Sequence, residues 1–257
     1  MTGWTLNPAY AHLAEDFGTL ATVFALDGER LTHAPRSEVI RVTQQGVRYY
    51  VKRYNAGSPR NGMRRWLRNL RHGLRNFLPR PRVQAEWENL EHFAQWGIPT
   101  AEIVASGLER KFGAFWRGAL ITRELEGTED LRALHERHDP RLQDRRWVAR
   151  LCAQIAAHTR TLHAHRFVHN DLKWRNLLVD QNGTVYFIDC PLGDFWRGPM
   201  LRHRMEKDLA TLDKVARHCL SASVRLRFYL DYRQHTRLTK QDKASIRRIV
   251  RFFDGED

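Results

Sequence analysis

The fold is decided by the stretch VHNDLKWRNLLV at residues 168–179, which FIDCPLG follows at residues 187–193. Asp171 lies five positions before Asn176, and Asp189 lies thirteen positions after it. A loop with this spacing can present a carboxylate and an amide at one site, and the amide and the later carboxylate are oxygen ligands that suit Mg²⁺. The Asp171 carboxylate is then left to orient an attacking hydroxyl and accept its proton. The stretch therefore predicts a phosphoryl-transfer site.

A site of this kind also needs a lysine on a strand for the phosphates and a glutamate on a helix to hold that lysine. Lys52 lies in a predicted strand, and Glu86 is the best-placed glutamate of a predicted helix. Three other interpretations stay open. Asp171 could be an ordinary surface residue. Lys52 could be one more member of a basic run, and Glu86 could be a solvated helix charge, since Glu88 and Glu91 lie close to it.

Hydrophobic periodicity predicts strands in the first half of the chain and helices after it. This order indicates an α+β protein with two lobes and a hinge near Arg123 to Gly127. The predicted strands are 38–43, 47–54, 103–106 and 115–124, and the predicted helices are 83–96, 145–165 and 244–253.

Length and composition limit the classes of protein. The 257 residues are 42% hydrophobic and carry a formal charge of +14, which indicates a globular chain of one or two domains. No apolar run reaches the roughly 18–20 residues of a membrane span, and the N-terminal residues lack the pattern of a secretory signal. Three widely spaced cysteines favour a reducing cytosol over a disulfide framework or a zinc ribbon.

The excess positive charge is concentrated between Lys52 and Arg82, where ten Lys and Arg residues occur with no Asp or Glu. In this stretch apolar residues recur at steps of three and four, and arginines fall between them. The pattern predicts an amphipathic helix, 64–78, on an anionic lipid surface. A solvated surface segment and a nucleic-acid contact are the alternatives. The substrate or membrane patch so defined contains Arg64, Arg65, Trp66, Arg68 and Arg71.

From about Glu38 onward the chain resembles the protein-kinase-like fold. The resemblance implies a small, mainly β N-lobe with one long helix and a mainly helical C-lobe. It has clear departures: no G-x-G-x-x-G motif precedes Lys52, Pro191 replaces the glycine of the metal-binding triplet, and no Ala-Pro-Glu follows. Only eighteen residues separate Asp189 from Asp208, which leaves little room for a peptide-binding activation segment.

Within this fold the sequence is similar to the lipopolysaccharide core kinases, the bacterial Kdo and heptose kinases. The resemblance rests on YVKRY at 50–54, AEWENL at 85–90, GIPT at 97–100, HNDL at 169–172 and KDLA at 207–210. It implies transfer of the ATP γ-phosphate to a sugar hydroxyl, expected to be a heptose, of the lipid-anchored inner core. It also implies a peripheral location on the cytoplasmic face of the inner membrane.

The resemblance assigns expected roles to individual residues. Asp171 would be the base, and Lys173 would steady the γ-phosphate. Asn176 and Asp189 would hold Mg²⁺. His169 and Asp208 would support the catalytic loop. The expected contacts to ATP are Lys52, Glu86 and the backbone from Arg123 to Leu125.

The predicted organisation is an N-lobe of residues 1–124 with a basic insertion at about 58–82, and a C-lobe of residues 125–257. The expected cofactors are ATP and Mg²⁺, the expected partners are the lipopolysaccharide core and an anionic membrane surface, and no nucleic acid is expected. The alternatives are a protein or other small-molecule kinase of this fold and a basic nucleic-acid-binding pseudokinase. Zinc is not expected at the histidines between 158 and 169, because no set of Cys or carboxylate ligands accompanies them.

Overall fold

The computed structural model describes residues 2–34, 36–56, 80–111 and 113–254. The chain forms two compact units, one of Met1–Glu88 and Ala101–Glu124, the other of Asn89–Thr100 and Leu125–Asp257. The units differ from the predicted lobes in one stretch, because residues 89–100 group with the second unit. Most of the predicted basic insertion at about 58–82 lies outside the described residues.

The first unit is built on a six-stranded antiparallel sheet with the strand order β1-β5-β6-β4-β3-β2. A tight turn joins β3 to β4, and both of its central residues, Gln45 (φ 51°) and Gly46 (φ 78°), have positive φ. Two such residues form the hairpin turn whose twist matches that of the flanking strands. The strands are β1 Thr2–Leu6, β2 Glu29–Ala34, β3 Ser37–Gln44, β4 Val47–Asn55, β5 Ile103–Lys111 and β6 Ala114–Arg123.

One face of this sheet is covered by short helices from the N-terminal residues. Phe17 and Val23 are fully buried against the strand residues Val51 and Ile121. Buried side chains of β4 alternate with less buried ones, so one side of the strand packs into the core and the other carries Lys52. The helices are a 3₁₀ helix Pro8–Leu13, α1 Ala14–Phe17 and α2 Leu20–Ala25.

The long helix α3 comprises Arg82–Gln95. It ends where Gly97 adopts a left-handed conformation (φ 70°) and the Ile98 N–H bonds to the Phe93 carbonyl. A glycine after the last turn is a common way to satisfy the free carbonyls of a helix end. The predicted helix 83–96 is confirmed to within one residue at each end.

The second unit is mainly helical. In the described residues its β-structure consists of a three-stranded sheet of order β10-β9-β7 and a pair of strands, β11 and β8. The helices are α4 Leu131–Glu136, α5 Arg145–Ala164, α6 Gly198–Cys219, α7 Ala222–Arg233 and α8 Lys240–Val250. The strands are β7 Glu129–Asp130, β8 Phe167–Val168, β9 Leu177–Val179, β10 Val185–Phe187 and β11 Asp194–Phe195.

Some sequence-based bounds were wrong. Strand β2 was not among the predicted strands, because all its side chains are exposed and no alternation of apolar residues marks it. The last helix was predicted at 244–253, but α8 begins at Lys240 because Thr239 and Asp242 form a capping box there. Throughout the described ranges, each helix is too short or too polar to cross a membrane.

Candidate active site

In the first unit, Lys52 and Glu86 form an ion pair between strand β4 and helix α3. Lys52 Nζ contacts Glu86 Oε1, and the Tyr54 hydroxyl donates to Glu86 Oε2 at 2.8 Å. Glu86 is only 1% exposed, so burial of its ionised carboxylate would destabilise the fold without these partners. Lys52 and Tyr54 are two residues apart on one face of the strand, which is why both reach the same glutamate.

The structure distinguishes Glu86 from its neighbours on the same helix. Glu88 accepts a hydrogen bond from Gln84 at 2.8 Å and pairs with Arg80 at 2.5 Å. Of these two glutamates, Glu86 is therefore the one that pairs with Lys52. The sequence did not single out Tyr54, although its spacing of two from Lys52 was a usable signal.

Arg53 points to the opposite face of β4 and is not a surface member of the basic run. Arg53 is 6% exposed, and its guanidinium donates to Glu38 Oε1 at 3.0 Å and to the Leu26 carbonyl at 2.5 Å. Replacing Arg53 would remove both hydrogen bonds from these partly buried acceptors and would destabilise the unit.

In the second unit, the loop that contains Asp171 is held by hydrogen bonds to Asp208 on α6. Asp208 is fully buried, and its two carboxylate oxygens accept the N–H groups of His169 at 2.8 Å and Asn170 at 2.9 Å. His163 lies 3.4 Å from the same carboxylate and bonds to the Tyr232 hydroxyl at 2.8 Å. The loop is therefore anchored immediately before Asp171.

Asp171 itself is in contact with two side chains of its own loop. Lys173 Nζ lies 2.5 Å from Asp171 Oδ1, and Asn176 Nδ2 donates to the Asp171 carbonyl at 2.9 Å. Because its Nδ2 faces Asp171, the Asn176 side chain keeps its Oδ1 as an acceptor. Asp171 remains 20% exposed, while Asn176 is 2% exposed.

A short hairpin places Asp189 beside Asn176. Leu177 of β9 pairs with Phe187 of β10, and the Ile188 N–H donates to the Asn176 carbonyl at 3.0 Å. The residue before one strand and the residue shortly after the next therefore lie at the same end of the hairpin. A carboxylate and an amide oxygen at this end are donors of the type that Mg²⁺ prefers, so the residues present fit the cation.

His169 is a packing residue of this loop. It is fully buried and stacks on Phe93 with ring centroids 6.0 Å apart. Burial lowers the pKa of His169, although the nearby carboxylates of Asp208, Asp189 and Asp171 oppose that shift. The ring supports the loop by packing against its neighbours.

The other histidines between 158 and 169 also pack on aromatic rings. In the described ranges, no three His, Cys, Asp or Glu side chains form a group that could hold a metal ion. The pairs are His158 with Phe187, His163 with Tyr232 and His165 with Trp96.

Part of the backbone that is expected to contact adenine already forms hydrogen bonds within the protein. The N–H of Arg123 bonds to the Glu102 carbonyl and the N–H of Glu124 bonds to the Arg48 carbonyl, both at 3.0 Å. The Leu125 carbonyl accepts the Thr128 hydroxyl at 2.7 Å. Among the described residues, none accepts the N–H of Leu125. The contact of this stretch with adenine therefore stays a prediction.

The predicted substrate or membrane patch lies outside the described residues. This applies to each of its members, Arg64, Arg65, Trp66, Arg68 and Arg71.

Comparison with known proteins supplies the family. The sequence model of the lipopolysaccharide kinase (Kdo/WaaP) family matches residues 27–248. A 3-deoxy-D-manno-octulosonic acid kinase from Actinobacillus succinogenes is 29% identical over 132 residues, which cover 48% of this chain and 52% of that protein. A human Nik-related protein kinase is 40% identical over 43 residues, which cover 17% of this chain and 3% of that protein.

The match to the first relative thus spans about half of that protein's length, and the match to the second spans a small part of it. Among solved structures, WaaP in complex with acyl carrier protein is similar in fold, with a TM-score of 0.74 and 18% identity. The similarity covers 99% of this chain and 97% of WaaP. It confirms the predicted protein-kinase-like fold. With most of its length matched by the family model, this chain belongs to the lipopolysaccharide kinase (Kdo/WaaP) family.

Proposed function

We propose that this protein is an Mg²⁺-dependent kinase that transfers the γ-phosphate of ATP to a sugar hydroxyl of the lipopolysaccharide core. The observation that carries the proposal is the anchored loop of the second unit, where Asp171 and Asn176 are in contact and the β9–β10 hairpin brings in Asp189. Family membership directs the choice of acceptor to the lipopolysaccharide core.

In this proposal Asp171 accepts the proton of the sugar hydroxyl. Lys173 holds one of its carboxylate oxygens at 2.5 Å, and Asn176 holds its backbone carbonyl, so the second oxygen has a defined direction. A base fixed in this way contributes typically 10²–10⁴-fold to the rate. Asn176 and Asp189 would hold Mg²⁺, which when bound supplies positive charge to neutralise the phosphates.

The acceptor is tested directly with radiolabelled ATP and Mg²⁺. We expect label on lipopolysaccharide that carries the inner core and no label on a generic protein such as casein. Lipid A that carries only Kdo distinguishes the two sugars: label on it indicates a Kdo kinase, and label only on heptose-containing core indicates the heptose kinase that the sequence favoured. Labelling of casein alone would contradict the proposal and support a protein kinase.

Lys52 and Glu86 are proposed to bind the ATP phosphates together. Lys52→Met should raise the ATP KM or lower kcat sharply, because the ammonium that meets the phosphates is lost. Glu86→Gln should have a milder effect, because the amide still accepts a hydrogen bond from Tyr54. Steady-state kinetics with varied ATP measure both effects.

The matched control is Lys111→Met, on an exposed lysine of the same sheet whose ammonium lies over the Trp116 ring. Arg53→Met is unsuitable because Arg53 is buried and paired. If Lys52→Met behaves like Lys111→Met, then Lys52 is only part of the basic run.

We also propose that the predicted amphipathic helix at 64–78, the basic segment, docks the enzyme on the anionic glycolipid at the cytoplasmic face of the inner membrane. Replacing Arg64, Arg65, Arg68 and Arg71 with Gln should weaken binding to anionic vesicles at low salt, since each basic residue contributes about 1 kcal/mol near such a surface. Trp66→Ala should weaken binding even at high salt, because its apolar contribution is not screened. Vesicle sedimentation measures both effects.

A quadruple control tests whether position matters or only charge. It replaces four exposed arginines of the second unit, Arg145, Arg146, Arg150 and Arg247, with Gln. Equal sedimentation of the segment variant and the wild type would mean that the segment is a solvated face. A loss of binding to duplex DNA without loss of lipid binding would favour the nucleic-acid alternative.

An apolar cavity of about 360 Å³ in the second unit supports a further partner. It lies among α5, α6, α7 and α8 and is lined mainly by apolar side chains, with the Arg225–Asp213 ion pair in its wall. The similar WaaP structure contains acyl carrier protein, and an acyl chain gains up to about 0.8 kcal/mol for each buried CH₂ group. We propose that this cavity holds the acyl chain of a carrier protein.

The cavity is tested by comparing acylated with unacylated carrier protein in calorimetric titrations. Wild type should bind the acylated form at least about tenfold more tightly, because burial of two CH₂ groups already accounts for that factor. Ala216→Phe, which fills the cavity, should remove this preference and leave ATP binding intact. Equal binding of both forms to wild type would contradict the proposal.

A further inference from the structure

The loop after Asp189 is held through its backbone carbonyls by a buried amide on helix α3. Asn89 Nδ2 donates to the Cys190 carbonyl at 2.7 Å and to the Gly193 carbonyl at 3.0 Å. Asn89 is fully buried. An amide nitrogen carries two hydrogens, so both are used on this one loop.

A second amide, that of Asn170 in the loop that contains Asp171, also binds the loop after Asp189. Asn170 Nδ2 donates to the Leu192 carbonyl at 2.8 Å, and Arg204 donates to Asn170 Oδ1 at 3.1 Å. Because a guanidinium can only donate, the oxygen of the Asn170 amide must face Arg204, and its nitrogen must face the loop. Two side-chain amides therefore bind the carbonyls of three residues after Asp189, namely Cys190, Leu192 and Gly193.

The packing of the loop explains where its glycine lies. A Cβ at Gly193 would come within 2.4 Å of Phe167, 2.5 Å of the Cys190 sulfur and 3.0 Å of Asn89 Nδ2. A glycine is therefore required at 193 for Asn89 to reach its carbonyl. The glycine of this loop thus lies at 193, whereas Pro191 stands at the position where the protein-kinase pattern has glycine.

Asp189 has a left-handed backbone conformation, with φ at 57°. A non-glycine residue keeps such a conformation only where the surrounding structure determines it. The carbonyl contacts of Asn89 and Asn170 begin at the residue directly after Asp189. They are therefore in a position to fix its conformation.

We propose that Asn89 and Asn170 are positioning residues that hold the 189–193 loop in its metal-binding conformation before any substrate is bound. The inference rests on the proposed function, in which Asp189 is a Mg²⁺ ligand. It assigns to two asparagines the ordering of this loop, in a chain whose segment between Asp189 and Asp208 is only eighteen residues long.

The two asparagines allow different tests. Asn89→Asp keeps the shape but places an oxygen against two carbonyls, so both hydrogen bonds are lost. Asn170 also has a positive φ, at 64°, so Asn170→Gly removes the amide while the backbone keeps its conformation. If Asn89→Asp does not fold, Asn170→Gly tests the proposal alone. The control is Thr239→Ala, which removes the cap of α8 and lowers stability in the same unit.

The first measurement uses the protein without ligand. Hydrogen–deuterium exchange of the peptide that spans 186–197 should become at least about tenfold faster in Asn89→Asp and Asn170→Gly. It should stay near the wild-type rate in Thr239→Ala. Exchange in this peptide that matches the control would overturn the proposal.

The second measurement is the Mg²⁺ concentration that half-maximally increases binding of a fluorescent ATP analogue. Loss of a residue that orients a metal ligand typically costs 10–100-fold in metal affinity, and we expect this shift in both asparagine variants. A shift no larger than that of Thr239→Ala would overturn the proposal. If wild type shows no Mg²⁺ dependence, the proposed function fails instead, and the exchange experiment still decides whether the amides order the loop.

Discussion

Asp171→Asn is expected to reduce phosphotransfer to the lipopolysaccharide core by at least about 10²-fold, the lower end of what a positioned base contributes. The asparagine side chain has the same shape and still offers an oxygen to Lys173, but it cannot accept the proton of the hydroxyl. Because Asp171 binds no proposed metal, nucleotide affinity should change little. The loss should therefore appear in kcat, measured with saturating ATP and acceptor.

The control for this variant is Asp194→Asn, which neutralises an exposed carboxylate in the same unit. It should retain wild-type turnover. Thermal unfolding of the two variants checks that Asp171→Asn is folded. Turnover of Asp171→Asn close to that of wild type would mean that another group accepts the proton.

Asp189→Asn is expected to abolish the effect of Mg²⁺ on nucleotide binding. The variant removes the negative charge of the proposed ligand, and asparagine tolerates the left-handed conformation of residue 189. Asp189→Ala would combine loss of the ligand with strain in the backbone, because alanine adopts positive φ only at a cost. The asparagine variant therefore tests the metal role more directly.

The measurement compares binding of a fluorescent ATP analogue in MgCl₂ and in EDTA. Wild type should bind more tightly with Mg²⁺, and Asp189→Asn should bind equally in both, with an affinity at least about tenfold weaker than wild type in Mg²⁺. Asp194→Asn should behave like wild type. Should Asp189→Asn keep its response to Mg²⁺, the ligand set is wrong, whatever the outcome for Asp171.

The sequence by itself predicted the candidate site residues and determined much of the local structure. The Gln44-Gln45-Gly46 turn and the alternation of β4 follow from local backbone preferences, and the apolar spacing of α3 and α5 follows from helical periodicity. The placement of Asn176 and Asp189 is likewise local, because one hairpin connects them. These features involve residues close together in the chain, and for that reason a pattern in the sequence can reveal them.

Only the tertiary structure decided which partner each polar residue takes. Glu86 and Glu88 are alike in the sequence, yet the first binds Lys52, 34 residues away, and the second binds Arg80. Lys52 and Arg53 are adjacent basic residues, yet they lie on opposite faces of one strand and Arg53 is buried.

The loop after Asp189 shows the same limit. Asn89 reaches the carbonyl of Cys190 across 101 residues, and no local pattern distinguishes it from a solvated asparagine. Its two donors are satisfied only where the fold brings two backbone carbonyls together at hydrogen-bond distance. That geometry depends on the packing of Phe167 and Gly193 around it, which is a property of the folded chain and of no single segment.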